Sequence, residues 1–125
     1  MREHLSGNAS PTERTMAYLR SLGYTVDKVE QRVPFARVTR DLFGCIDIVA
    51  LKNDPIWPIG VLGVQATTGD HVAERVKKIA AEPRAALWRA CGNRLWVVGW
   101  TLAGPAGTRK VWTPRVVQIG DNSTP

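Results

Sequence analysis

Two apolar runs near the middle of the chain, Cys45 to Leu51 and Ile59 to Ala66, are almost continuous in valine, isoleucine and leucine. Runs of that kind predict adjacent strands covered on both faces. The intervening Asn53, Asp54, Pro55 and Pro58 predict the turn between them. Upstream, Ser10-Pro11-Thr12-Glu13 carries a helix-start signature: a serine cap, proline at the first helical position and a glutamate that can bond back to the cap amide. The helix should run to Leu22 and stop at Gly23, with Met16, Leu19 and Leu22 as its apolar stripe. Tyr24 to Val33 alternates loosely and predicts a bent or edge strand ended by Pro34, with Phe35 to Asp41 as a connection.

Beyond Ala66, the segment Thr67-Thr68-Gly69-Asp70 ends the second run and predicts a helix capped by Thr68 or Asp70. Val72, Val76, Ile79 and Ala80 form its expected buried face. Pro83 should break it, and Arg84 to Cys91 should continue as a second segment with Leu87, Ala90 and Cys91 inward, stopped by Gly92. Leu95 to Trp100 and Arg109 to Ile119 then read as a hairpin, with Pro114 making its second strand an edge or a broken strand. The resulting order is αβββαββ, an α/β domain in which a central sheet is flanked by helices.

A chain of 125 residues fits one domain. The expected limits are 10–119, between a flexible N-terminus over 1–9 and a flexible tail over 120–125. A formal charge of +6 and a pI near 9.9 favour a polyanionic partner, with nucleic acid first among candidates. Met1 to Ser10 has no apolar core, and no apolar run is long enough to span a bilayer. The expectation is a cytoplasmic protein with no membrane partner. Cys45 and Cys91 lack metal-ligand spacing and read as reduced core thiols.

The candidate chemistry starts from Asp47, a carboxylate inside an apolar run. Its burial costs several kcal/mol unless a partner offsets it, and backbone amides, an arginine or a bound cation could each do so. In the expected layout Gln65, at the end of the next strand, lies beside Asp47 and shares a point in space with it. Glu13 lies on the side of the helix stripe and reads either as a cap or as a third oxygen donor. Such a set suits a hard divalent ion. Thr67 and Thr68, at a helix start, could receive a phosphate. Arg37, Arg40, Arg75, Lys77 and Lys78 could follow a nucleic-acid backbone without base preference. Lys77 and Lys78 read first as solvated cations on an exposed helix face. His71 reads as a first-turn helix residue, and a cysteine nucleophile would need Cys45 or Cys91 out of the core. The five tryptophans read mostly as core or sheet cover, with Trp57 as a candidate for exposure.

The pattern Gly44-x-x-Asp47-Ile48-Val49-Ala50, a turn, then Leu62-Gly63-Val64-Gln65-x-Thr67 before a basic helix resembles the PD-(D/E)XK nuclease superfamily, near its Holliday-junction-resolvase-like and VRR-NUC-like members. The resemblance spans about Ser10 to Trp100. It implies a restriction-endonuclease-like fold with a mixed central sheet, and Mg2+ or Mn2+ held by Asp47, Gln65 and Glu13. The implied activity is hydrolysis of phosphodiester bonds in DNA, duplex or branched, with a homodimer as the assembly. Asp41 could be an additional acid near the entrance. The chain departs from the family at Gln65, where glutamate is usual, and at Thr67, where lysine is usual. Losing a transition-state donor costs about 3 kcal/mol, a hundredfold or more in rate, unless a residue such as Lys78 reaches back. The competing expectations are a disabled module that binds nucleic acid or a protein, and a structural subunit whose basic face offsets acidic neighbours.

Overall fold

The helix-start signature does what its residue types dictate. Ser10 Oγ accepts from the Glu13 amide at 3.1 Å, and a Glu13 carboxylate oxygen accepts from the Ser10 amide at 3.1 Å. These bonds satisfy donors that a helix terminus otherwise leaves open. In the computed structural model, which describes residues 5–53 and 60–120, this helix is α1, Pro11–Ser21. It ends before Gly23, whose φ of 95° lies in the left-handed region.

Four strands follow: β1 (Thr25–Lys28), β2 (Gln31–Val33), β3 (Val38–Arg40) and β4 (Ile48–Leu51). β5 (Leu62–Thr68) leads through a 3-10 turn at Gly69–His71 into α2 (Val72–Ala80) and α3 (Pro83–Ala90). β6 (Arg94–Ala103) and β7 (Val111–Gln118) close the chain. The main sheet is mixed, in the order β1-β4-β5-β6-β7, with β5 and β6 parallel and the other neighbours antiparallel. The parallel pair requires a crossover, which α2 and α3 supply. β2 and β3 form a separate antiparallel ribbon.

Alternate residues of the inner strands serve opposite faces. Ile48, Ala50, Leu62, Val64, Val98 and Trp100 pack with Leu19 of α1. Cys45, Ile46, Leu95 and Val97 pack with Val72, Ile79 and Ala85 of α2 and α3. The molecule is therefore three layers, α1 on one face and the α2–α3 pair on the other. Gly99 lets α2 start close to β6, because a Cβ there would strike Val72 Cγ2.

Several expectations change. The segment over Tyr24 to Val33 is two strands split at Val29 and Glu30, and the supposed connection contains β3. Single-strand periodicity cannot reveal a ribbon this short. The first inner strand begins at Ile48, three residues after the expected Cys45, and the second spans Leu62–Thr68 where Ile59 to Ala66 is expected. In α1, Arg14 and Thr15 are buried with Leu19 while Leu22 is exposed. In α3 the inward residue is Ala85, with Trp88 partly buried beside it; Leu87, Ala90 and Cys91 face solvent. The break at Pro83 re-phases the second helix, so its face cannot be extrapolated from the first. Cys91 is thus an exposed free thiol, while Cys45 is buried. Ala80 is also exposed. His4, Asp54, Pro55, Trp57, Pro58, the expected strand start at Ile59 and the expected tail from Asp121 onward lie outside the described residues. Among the described residues no helix is long and apolar enough to cross a membrane.

Candidate metal centre

Register alone brings Asp47 and Gln65 together. β4 and β5 pair Ile48 with Val64 and Val49 with Gly63, and continuing that ladder by one step puts Asp47 opposite Gln65. The Asp47 amide donates to the Val64 carbonyl at 2.9 Å, which holds the step in place. Both side chains are nearly inaccessible, Asp47 at 5% and Gln65 at 1%. Gln65 Nε2 donates to Asp47 Oδ2 at 2.8 Å, and the Ala66 amide donates to the same oxygen at 2.9 Å.

A second carboxylate arrives through a small hairpin. Leu42 and Ile46 form an antiparallel bridge across a turn in which Phe43 and Gly44 have φ of 54° and 73°. The flanking residues Asp41 and Asp47 are therefore the next opposed pair. Gln65 Nε2 also donates to Asp41 Oδ2, at 3.1 Å, so one amide bridges two acids. A third acid, Glu30, sits just past β1, where Val29 bonds its amide to the Asp47 carbonyl at 2.8 Å. Glu30, Asp41 and Asp47 each offer a carboxylate oxygen within 4.8 Å of the others, a grouping that could hold a metal ion.

Like charges directly opposite one another destabilise a sheet. The Asp47 carboxyl is pushed up to about 7, first by burial and then by the hydrogen bond it shares with Asp41, against the lowering effect of the Ala66 amide and Gln65. A divalent cation would remove the repulsion by neutralising the acids instead of protonating one. All-oxygen donors of this sort suit a hard ion. With the Gln65 amide nitrogen turned inward, the carboxylates are the donors and Gln65 orients two of them.

Glu13 does not join them. It is committed to the Ser10 cap, which holds its carboxyl below the usual range, and it belongs to the helix on the other face of the sheet. Gln65 shares its face with Val97, its partner on parallel β6, and Val97 packs with α2. No rotamer of Glu13 passes through the sheet. Thr67 is likewise displaced from its expected role: it is 5% exposed on the Gln65 face of β5. Of the two threonines only Thr68 is exposed, where its hydroxyl donates to Asp70 at 2.6 Å.

Lys78 lies on α2 and lines an open groove of about 430 Å³ with Asp41, Gly44, Arg40, Val33 and Val38. Lys28 Nζ lies 3.7 Å from the Glu30 carboxylate, while Lys78 shares this groove with Asp41; Lys77 is exposed on the same helix as Lys78 and Arg75 is half-buried. Arg37 and Arg40 belong to the β2–β3 ribbon and are exposed. Burial pushes the Cys45 thiol up to about 11, so it stays protonated and is no nucleophile.

Glu30 escaped the sequence because it lies among charged residues in an irregular segment. The sign for Asp41 was legible: a Phe-Gly turn centred between two aspartates six residues apart. The chain matches no known protein family, no curated protein and no solved structure.

Proposed function

We propose that this domain is a metal-dependent nuclease of the PD-(D/E)XK type, with a restriction-endonuclease-like fold, acting on DNA with Mg2+ or Mn2+. The observation that carries the proposal is the convergence of Glu30, Asp41 and Asp47 within 4.8 Å, beside a groove lined by Lys78. A divalent ion held by Glu30, Asp41 and Asp47 would supply Lewis-acid activation of a water and offset charge on the phosphate. The chain's own residues do the rest. Asp47 is the fixed donor, locked by the Ala66 amide and Gln65. Asp41 and Glu30, half-buried, complete the oxygen set. Lys78 takes the place of the absent motif lysine by approaching from α2 and facing the scissile phosphate, where its charge offsets the charge that develops in the transition state. Arg37 and Arg40 bind phosphates along the rim of the groove.

The test is cleavage of duplex, gapped and four-way-junction DNA with Mg2+ or Mn2+, comparing the native chain with Asp47→Ala and Lys78→Ala. Cleavage by the native chain that Asp47→Ala abolishes supports the proposal. Absence of cleavage on every substrate, with binding intact, favours the second reading: a nucleic-acid-binding module that retains the fold of a nuclease without the activity. One observation favours that reading, namely that Gln65 and Thr67 replace a charged acid and a lysine with neutral groups.

A further inference from the structure

The β2–β3 ribbon stands apart from the five-stranded sheet, and its tip carries Phe35 with its side chain entirely in solvent. Phe35 and Arg37 both hold positive φ, 66° and 53°. That backbone is unfavourable for bulky side chains. A two-stranded ribbon is also marginal on its own. From Gln31 to Arg40 there is no acidic residue, while Arg32, Arg37 and Arg40 are all exposed. One side of the ribbon, from Ala36 in its turn through Val33, Val38 and Thr39 to Arg40, lines the groove that contains Asp41 and Lys78. An exposed aromatic ring on a ribbon that also carries three exposed arginines and leads into a carboxylate cluster at Asp41 is complementary to one kind of polymer: an anionic backbone that also offers flat apolar faces.

From this we infer that the β2–β3 ribbon recognises nucleic acid containing unstacked bases, with Phe35 stacking on a base exposed at a gap, flap, branch or single-stranded stretch. This rests on the reading of the acidic groove as a phosphodiester site and adds the substrate class to it. In an intact duplex every base face is covered by its neighbour, so Phe35 gains a partner only where stacking is interrupted or after unstacking a step. The arginines contact phosphates and are indifferent to that interruption. Selectivity for interrupted substrates therefore resides in Phe35, and general affinity in Arg32, Arg37 and Arg40.

The experiment measures binding in EDTA, so that no cleavage contributes, by fluorescence anisotropy with intact duplex, gapped duplex and single strand of one sequence. A 2-aminopurine base at the gap reports stacking. Phe35→Ala should weaken binding to gapped and single-stranded DNA about tenfold, the scale of one base stacked on an aromatic ring, and leave intact duplex within about twofold. Phe35→Trp should restore both affinity and the 2-aminopurine quenching. Arg37→Ala should weaken all three ligands alike and lower the salt slope by about one. Phe35 is solvent-exposed, and hydrogen exchange of the main sheet verifies that the variants are folded. Equal loss on intact duplex, no loss on any ligand, or binding to anionic lipid vesicles in place of DNA overturns the inference. Failure of cleavage with this binding pattern intact overturns the nuclease reading alone.

Discussion

Two buried polar groups lie on opposite faces of the same sheet, and their chemistry differs in kind. Beneath α1, Trp100 Nε1 donates to Thr15 Oγ1 at 2.8 Å, and that hydroxyl donates onward to the Pro11 carbonyl at 2.7 Å. The cluster is neutral and its donors match its acceptors. Tyr18 packs edge-on against the Trp100 ring, with centroids 6.0 Å apart, and completes the cover. On the α2 side, three carboxylates, Asp41, Asp47 and Glu30, gather around the Gln65 amide and the Ala66 N–H, with Lys28 Nζ 3.7 Å from Glu30. The first arrangement is closed and holds α1 to the sheet; the second brings three like charges together against one lysine. Burial of a polar group is therefore uninformative until donors and charges are counted, and the surplus is what marks a site.

The contrast is sharpest if each cluster is broken in turn. Trp100→Ala should cost about 3–5 kcal/mol in urea unfolding, as for a large ring lost from a core, and should leave divalent-ion binding by the refolded protein intact. Asp47→Ala should remove a hundredfold or more of any metal-dependent cleavage, about 3 kcal/mol on the transition state, together with the rise in melting temperature on adding Mg2+ or Mn2+.

A third prediction concerns pH. The folded-state value of Asp47, about 7, lies above the ordinary 3.8, so protonation favours the fold. That contribution is complete below about pH 4 and is lost as the pH climbs through about 7. Without divalent ions the domain should lose stability across this window, and added Mg2+ or Mn2+ should restore it most at the alkaline end, where the proton no longer competes. Asp47→Asn should flatten the pH dependence of the melting temperature. An unchanged slope would show that Asp47 is not the group titrating.

Smaller effects separate structure from site. Thr15→Val leaves the Trp100 N–H without its acceptor and should cost about 1–3 kcal/mol with no change in metal response. Ser10→Ala should cost about 1 kcal/mol through the lost cap. Glu13→Ala should lower the melting temperature slightly and leave cleavage unchanged. A large loss of cleavage in Glu13→Ala would place that residue back in the site.

Local chemistry made much of this readable in advance. The Ser10–Glu13 box, the stops at Gly23 and Gly92 and the break at Pro83 each depend on near neighbours in the chain, and each appears where those neighbours require it; the two apolar runs form adjacent strands with shifted bounds. The meeting of Asp47 with Gln65 follows from strand adjacency and register. By contrast, Leu22 after α1 and Leu87, Ala90 and Cys91 in and after α3 face solvent although their spacing points them inward, since helix phase depends on the surface each helix meets.

Residue order was therefore enough to define an α/β chain with an acid lodged in an inner strand, because those properties arise from short-range sterics and from the cost of burying charge. Which acids stand together was decided by folding. Asp41 reaches Asp47 through the turn at Phe43 and Gly44, Glu30 arrives from beyond a neighbouring strand, and the sheet itself separates Glu13 from them. A carboxylate's ability to share an ion depends on distances of a few ångströms across strands, and only the pairing and layering of those strands sets such distances.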